Sequence, residues 1–411
     1  MLNSTSNLNR EKLLYYASKY GTPLYVYDGD LIVRKYKELY EYIKWPKLKI
    51  LYAVKANYNV GILKLLKSVN ASLDTVSPAE VHLALKLGFS KESILYTANN
   101  ITDSEMEEVK KLGVLFNIGS ISRLKKYAKA YPNTEVCLRF NPDVVAGAHK
   151  NVMTGGDITK FGILLSEVEE AKRIVKQYNL IVVGLHEHTG SGIAETEKVY
   201  LSMKNLLAIA TKENFPDLKF IDFGGGFEVP YKPMTPKIDY ASFGEKISEI
   251  FFEFCRDYGK ELYMYFEPGK YIVSEAGTLL IEVNTLKQNR ERLIAGTNSG
   301  FNHLIRPMLY GSYHHIENLS NPHGELKIYD VAGNLCETGD YFAEQRELPE
   351  IREGDILAVK NGGAYCYSMG SLYNLRALPA EVLVVNGKDI LTTKRLSNSE
   401  LADSLINSHL G

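Results

Sequence analysis

Between about residues 48 and 268 the chain alternates short β-rich runs with longer helix-like segments, and no other feature restricts its fold as much. Eight runs read as strands: Ile50 to Val54, Ser72 to Val76, Ile94 to Thr97, Val114 to Ile118, Glu135 to Phe140, Ile181 to His186, Leu218 to Phe223 and Leu262 to Phe266. The pieces between them carry helix punctuation. "PAEVHLALKLG" opens with Pro78 after Ser77, as a first helical turn does, and stops at Gly88. "TDSEMEEVKKLG" repeats the logic with Thr102 as N-cap and Gly113 as stop. Eight such units over this length predict an α/β fold, a (β/α)₈ barrel spanning residues 30–278. After Gly277 the pattern becomes strand-rich without regular helices, in "TLLIEVNTLKQ", "RERLIAGTN", "DILAVKNGGAY" and "AEVLVVNGK". This predicts a mainly β C-terminal domain, residues 279–411, completed by residues 1–29 through an N-terminal strand at Pro23 to Asp28. The tail from Ser397 to Gly411 reads as a short helix or a partly disordered end.

Charge narrows the class of partner. A net charge of -1, with 45% hydrophobic and 24% charged residues, gives no electrostatic reason to expect nucleic acid or an anionic membrane, so a small-molecule site is the default. The N-terminus lacks an apolar core of signal-peptide length, and no run of roughly 18 apolar residues could span a bilayer. A cytoplasmic protein is expected. Cys137, Cys255, Cys336 and Cys366 are scattered without metal-like spacing, which argues against a zinc site or disulfide framework and leaves thiol chemistry open. The 28 tyrosines suit polar-tipped pockets or an interface.

Polar residues gather where the predicted strands end: Lys55, Asp74, Asn99, Asn117, Asn141, His186 with His188, Gly224 to Gly226, and Glu267 with Lys270. Barrel active sites occupy that face, although strand ends also rejoin solvent, and Asn99 and Asn117 read better as turn residues. In "LYAVKANYN", Lys55 either snorkels from a strand end or acts as a covalent catalyst at the barrel mouth. The three glycines of "FIDFGGGFEVPY" let backbone amides approach a phosphate, or they make a tight turn. In "LHEHTGSG", His186 and His188 would aim to one side of a strand, with Glu187 opposite. Two histidines so spaced could bind metal, but with no third nearby a stacking role is favoured and no metal is expected. In "YFEPGKYIVSEAG", Pro268 and Gly269 fix the chain's exit, and Glu267 is either a surface charge or an acid facing a cofactor ring.

An amine for covalent attachment, a histidine to stack on a ring, a glycine loop for phosphate and an acid to keep a pyridine nitrogen protonated are the needs of pyridoxal 5′-phosphate. "YAVKAN", "HEHTGS", "FGGGF", "FEPGKY", "LIRPMLYGSYHHI", "LCETGDYF" and "GAYCYSMGSLYN" resemble, in order, the motifs of the diaminopimelate decarboxylase family, within the fold-type III decarboxylases built on an alanine-racemase-like barrel. The resemblance runs from about Tyr25 to Val384.

The resemblance implies decarboxylation of meso-2,6-diaminopimelate to L-lysine, the last step of lysine biosynthesis. It further implies that Lys55 attaches the cofactor, His188 stacks on its ring and Glu267 pairs with its nitrogen. Gly224, Gly225 and Gly226 would cradle the phosphate with Ser191 and Tyr373 near it, Gly269 would border the cofactor, and Lys270 would meet phosphate or substrate carboxylate. Cys336 would reach in from the other protomer of a head-to-tail homodimer and protonate the α-carbon. Glu337 would meet the distal amine, Arg306 and Tyr310 the distal carboxylate, and Tyr373 would also touch substrate. Arg306 can grip a carboxylate through two parallel hydrogen bonds, which a decarboxylase of simple diamines would not need; a surface arginine is the plainer alternative. The chain departs from the family pattern at Lys270, where arginine is frequent, and at Thr189, Gly192 and Asn298. Relatives acting on ornithine, arginine, carboxynorspermidine or a D-diamino acid are the competing enzymes. A non-catalytic regulatory homologue is disfavoured because Lys55 and Cys336 are both present.

Overall fold

The computed structural model of the protein describes residues 6–144, 159–190 and 195–409. Strand β1 (Leu24–Asp28) precedes β2 (Leu48–Ala53), β3 (Ser72–Thr75), β4 (Ile94–Tyr96), β5 (Leu115–Ile118), β6 (Glu135–Asn141), β7 (Ile163–Leu164), β8 (Ile181–His186), β9 (Phe220–Asp222) and β10 (Tyr263–Phe266). The strands from β2 onward form a nine-stranded sheet in the order β5-β4-β3-β2-β10-β9-β8-β6-β7, and a β5–β6 pairing closes it. Among the described residues the two-residue β7 pairs only with β6, so eight parallel strands make the barrel wall. Helix ends follow local chemistry. Ser77 accepts a hydrogen bond from the Glu80 amide and Thr102 forms a capping box with Glu105, while Gly113 ends that helix at φ 79°, where a side chain would be strained.

The chain continues through β11 (Gly277–Asn289), β12 (Arg292–Thr297), β13 (Ile316–Asn318), β14 (Leu326–Ala332), β15 (Tyr341–Pro349), β16 (Ile356–Val359), β17 (Ala380–Val385) and β18 (Lys388–Thr393). These pair as β15-β14-β12-β11-β1-β17-β18, with β16 beside β11 and β13 beside β16. The N-terminal strand therefore completes the second sheet, antiparallel to β11 and parallel to β17. Asn398–His409 is helical. Among the described residues no helix is long and apolar enough to cross a membrane.

Strand alternation stacks the barrel interior in layers. Leu51, Leu95, Cys137, Val183 and Phe220 form an apolar middle layer, backed by Leu115 and Tyr265. Toward the N-terminal end the barrel opens into a cavity of about 450 Å³ lined by Lys49, Leu51, Glu135 and Tyr263 among others. Toward the C-terminal end the inward residues turn polar and stay buried: Asp74, Thr97, Asn117, Arg139, His186, Asp222 and Glu267. An apolar plug beneath a polar floor is the foundation of a site at that end.

Most strand ends shift by one or two residues, and two differences bear on the site. The first barrel strand stops at Ala53 rather than Val54, because Val54–Ala56 coils into a 3₁₀ turn closed by the Asn57 amide on the Val54 carbonyl. Asn117 is not a turn residue: it lies inside β5, buried, and its Nδ2 donates to Thr97 Oγ1 at 3.4 Å.

Candidate active site

Lys55 rides on the 3₁₀ turn that follows β2, and that turn is clamped from the second sheet's side of the molecule. The Ala56 carbonyl accepts hydrogen bonds from the Tyr365 amide at 2.8 Å and from Ser368 Oγ at 3.0 Å, and Asn57 Nδ2 donates to the Gly363 carbonyl at 3.0 Å. The amine is thus held at the barrel mouth, and its Nζ lies 2.6 Å from Asp74 Oδ2 at the end of β3. The Lys55 side chain is 37% exposed and Asp74 fully buried. Burial pushes the ammonium pKa down, but the Asp74 carboxylate, with Tyr365 and Glu267 beyond it, outweighs that and raises it.

Lys55, His188, Gly225, Gly226, Phe227, Glu267, Gly269, Lys270 and Tyr365 line one pocket. The glycines are required by close approach. A Cβ on Gly225 would stand 2.6 Å from the Glu267 carbonyl, one on Gly269 would stand 2.7 Å from Ala56 Cβ, and Gly224 adopts φ 66°. His188 Nδ1 accepts the Gly225 N–H at 3.2 Å, which docks the imidazole beside the glycine loop. Burial, with the nearby Arg139 and Lys55 charges, holds His188 neutral, as a stacking ring needs to be.

Glu267 is not a surface charge: it is 5% exposed, and its Oε2 lies 3.1 Å from His186 Nε2. His186 and His188 do not converge on a common ligand, since His186 faces Glu267 in the barrel while His188 meets Gly225. Glu187 does point the other way, accepting a hydrogen bond from Ser202 on the helix outside the barrel. His186, Asp222 and Glu267 bring one ligand atom each within 4.8 Å of one another.

Lys270 and Arg306 flank Tyr231. Lys270 Nζ lies 5.9 Å and Arg306 Cζ 5.1 Å from the Tyr231 ring centroid, and Arg306 also lies 5.6 Å from the Tyr310 ring. Arg306 is 7% exposed, its Nη2 donates to Ser312 Oγ at 3.3 Å and its buried Nε has no partner, so the surface-arginine alternative is excluded. Burial lowers the Lys270 pKa to about 8, with Glu228 opposing and Arg306 reinforcing the shift.

Three expected residues lie elsewhere. Tyr373 is 42% exposed and stacks on Phe301 at 5.6 Å, and within the same chain it is Tyr365, at φ 56°, that lines the pocket. Cys336 and Glu337 are exposed and absent from the pocket lining, with the Cys336 amide donating to Asn374 Oδ1 at 2.7 Å. Ser191 falls outside the described residues. Sequence reasoning missed Tyr365, Arg139 and Asp222. Asp222 was open to detection, because it stands two residues before Gly224 on an inward position of a strand.

Residues 30–274 match the family model described as "Pyridoxal-dependent decarboxylase, pyridoxal binding domain". The chain is 42% identical to a diaminopimelate decarboxylase of Methanothermobacter thermautotrophicus, over 94% of this chain and 92% of that one. It is 33% identical to that of Escherichia coli, over 98% of each. The crystal structure of diaminopimelate decarboxylase from Helicobacter pylori complexed with L-lysine superimposes with a TM-score of 0.88 at 30% identity, covering 97% of this chain and 100% of that one. Taken with the barrel and its lysine-bearing mouth, these likenesses establish that the chain belongs to the diaminopimelate decarboxylase family of pyridoxal-dependent decarboxylases.

Proposed function

We propose that the protein decarboxylates meso-2,6-diaminopimelate to L-lysine and carbon dioxide with pyridoxal 5′-phosphate as cofactor. The observation that carries this reading is the pocket in which Lys55, His188, Glu267 and two glycines of the loop after β9 face one another. Family names and an L-lysine-complexed relative support the substrate.

The residues fit the cofactor. The glycine loop offers a space that any Cβ would fill, and Glu267 Oε1 is buried without a hydrogen-bond partner. Bound there, pyridoxal phosphate would supply an electron sink for the carbon that loses carbon dioxide. Lys55 would hold the cofactor covalently, His188 would cover one ring face, and Glu267, as a carboxylate, would accept a hydrogen bond from the protonated ring nitrogen and keep it protonated. Amides of Gly224 to Gly226 would face the phosphate, with Gly269 along the cofactor edge. Arg306, with Tyr310 and Lys270, would receive the distal carboxylate; the partnerless Arg306 Nε and its adjacent Nη are a fork suited to one.

Cys336 and Glu337 would act in the pocket of a second copy, Cys336 delivering the proton that replaces the carboxyl group and Glu337 meeting the distal amine. Tyr373 would reach the partner's phosphate and substrate. A homodimer is supported by the exposed apolar side chains beside them, Met308, Leu372 and Leu375, at 47%, 41% and 51% exposure. A panel of amino acids incubated with the purified protein and pyridoxal phosphate tests the reading: diaminopimelate should be consumed, and preferential turnover of ornithine or arginine would reject the substrate assignment.

A further inference from the structure

Beneath Glu267 the structure holds two ionisable side chains for which the proposed chemistry has no use so far. Asp222, on β9, is fully buried, its Oδ1 accepts the Gly224 N–H at 2.9 Å, and its Oδ2 has no partner of defined geometry. His186, on β8, is fully buried, with Nε2 3.1 Å from Glu267 Oε2 and Nδ1 unpartnered. Backbone contacts lock the group together: the Glu267 amide donates to the Gly224 carbonyl at 2.8 Å, and the Glu187 amide donates to the Asp222 carbonyl at 2.9 Å. Asp222 and Glu267 are therefore neighbours with little freedom to separate, and no lysine or arginine forms an ion pair with either among the described residues.

Two carboxylates this close in a buried layer do not both ionise, because burial penalises each charge and neither has a lysine or arginine in ion-pair contact to offset it. One proton must stay on the pair. Burial, then the neighbouring Glu267 charge, raises the Asp222 pKa far above the usual carboxylate range. Glu267 is raised too by burial, but the Lys55 and Arg139 charges and the adjacent Asp222 pull it back. His186 is held neutral by burial and by Arg139. The other charged groups facing the pair are Asp74 on β3, which is engaged by Lys55, and Lys49 on β2, whose Nζ donates to the Glu92 carbonyl at 3.3 Å; the Cys137 thiol and Tyr265 hydroxyl also face it, the pKa of both pushed up by burial.

We propose that Asp222 is a positioning residue that works as a neutral acid: its Oδ2–H donates to Glu267, His186 Nε2–H donates to Glu267 Oε2, and the two together keep Glu267 an anion aimed at the cofactor's ring nitrogen. Asp222 does not touch the cofactor. Its Oδ1, tied to the Gly224 amide, couples the glycine loop to the acid, so one strand end sets both the phosphate cradle and the charge opposite it. This deepens the pyridoxal phosphate reading of the same site and rests on it.

The test sets Asp222→Asn against Asp222→Leu. Asparagine keeps an acceptor for the Gly224 amide and an N–H donor for Glu267 but cannot ionise, whereas leucine keeps neither. Affinity is measured for pyridoxal 5′-phosphate and for its 1-deaza analogue, which lacks the ring nitrogen. Wild type and Asp222→Asn should prefer the natural cofactor equally, and Asp222→Leu should lose that preference by about tenfold, the cost of one hydrogen bond to a charged group. Asn failing as Leu does would mean that Asp222 acts as an anion, and retention of the preference in Leu would mean that it has no role; either overturns the proposal. Infrared difference spectra of the cofactor-free protein give a second readout that needs no cofactor and survives failure of the Leu variant to fold. A protonated-carboxyl band present in wild type at neutral pH must vanish in Asp222→Asn, and its absence from wild type overturns the proposal. Failure of wild type to bind pyridoxal phosphate at all would instead remove the cofactor reading and the proposal with it, whatever the infrared band shows.

Discussion

Lys55 Nζ lies 2.6 Å from Asp74 Oδ2, so the amine at the barrel mouth is stored as an ammonium against a buried carboxylate. To attack a carbonyl carbon it must first lose a proton. Asp74→Asn should lower the Lys55 pKa, because burial would then act with less opposing charge. Covalent loading of pyridoxal phosphate onto the cofactor-free variant should be faster near neutral pH and less dependent on pH. An unaltered pH profile would detach Asp74 from the state of Lys55.

Lys270 predicts a pH effect of definite sign. Its pKa, lowered by burial to about 8, leaves it charged below that pH and neutral above. Anion affinity at the pocket should therefore fall as pH rises through about 8, by an amount that binding itself reduces, since a bound anion draws the proton back. Lys270→Arg should flatten the decline, because a guanidinium stays protonated there. Titrating phosphate or substrate affinity across that range in both proteins checks this.

Arg306 is buried between two tyrosine rings and should matter mainly for holding substrate. Arg306→Leu should raise the KM for diaminopimelate by about tenfold or more, as loss of a charge-assisted pair implies, with a smaller change in kcat. A variant whose KM is unchanged would move the distal carboxylate elsewhere.

Cys336 should slow turnover when changed to alanine without loss of bound cofactor. If its thiol serves a second copy's pocket, mixing inactive Lys55→Ala with impaired Cys336→Ala should restore activity through mixed dimers that carry one intact site. No recovery on mixing, with exchange of subunits verified, would contradict a shared site.

Much of the fold was legible because its signals are local. Ser77-Pro78, Thr102 with Glu105, and Gly113 announce helices in a few residues, and the runs between them repeat eight times before the pattern changes near Gly277. Other strands carry weaker local signals: Ile163–Leu164 and Ile316–Asn318 are very short, Lys388–Thr393 follows its partner across a tight turn, and Leu326–Ala332 and Tyr341–Pro349 interleave Lys327, Asp330, Glu344 and Arg346 among apolar residues. The site divides similarly. Lys55, His188, the glycines and Glu267 stand in short motifs and meet in one pocket. Tyr365 was overlooked because its place depends on a left-handed turn packed against Ala56, a contact made across more than half the chain. Arg139 is hidden by ordinary strand patterning, which reveals an inward position only once the barrel is closed, whereas Asp222 carries a signal in its place two residues before Gly224.

Decarboxylation itself is measured by supplying meso-diaminopimelate and pyridoxal phosphate to the purified protein and to Lys55→Ala, and quantifying L-lysine and carbon dioxide. The wild type should form both products in equal amounts and the variant neither. Lysine formation by Lys55→Ala at the wild-type rate, or a wild-type protein that binds the cofactor yet releases no lysine, would contradict decarboxylation through Lys55.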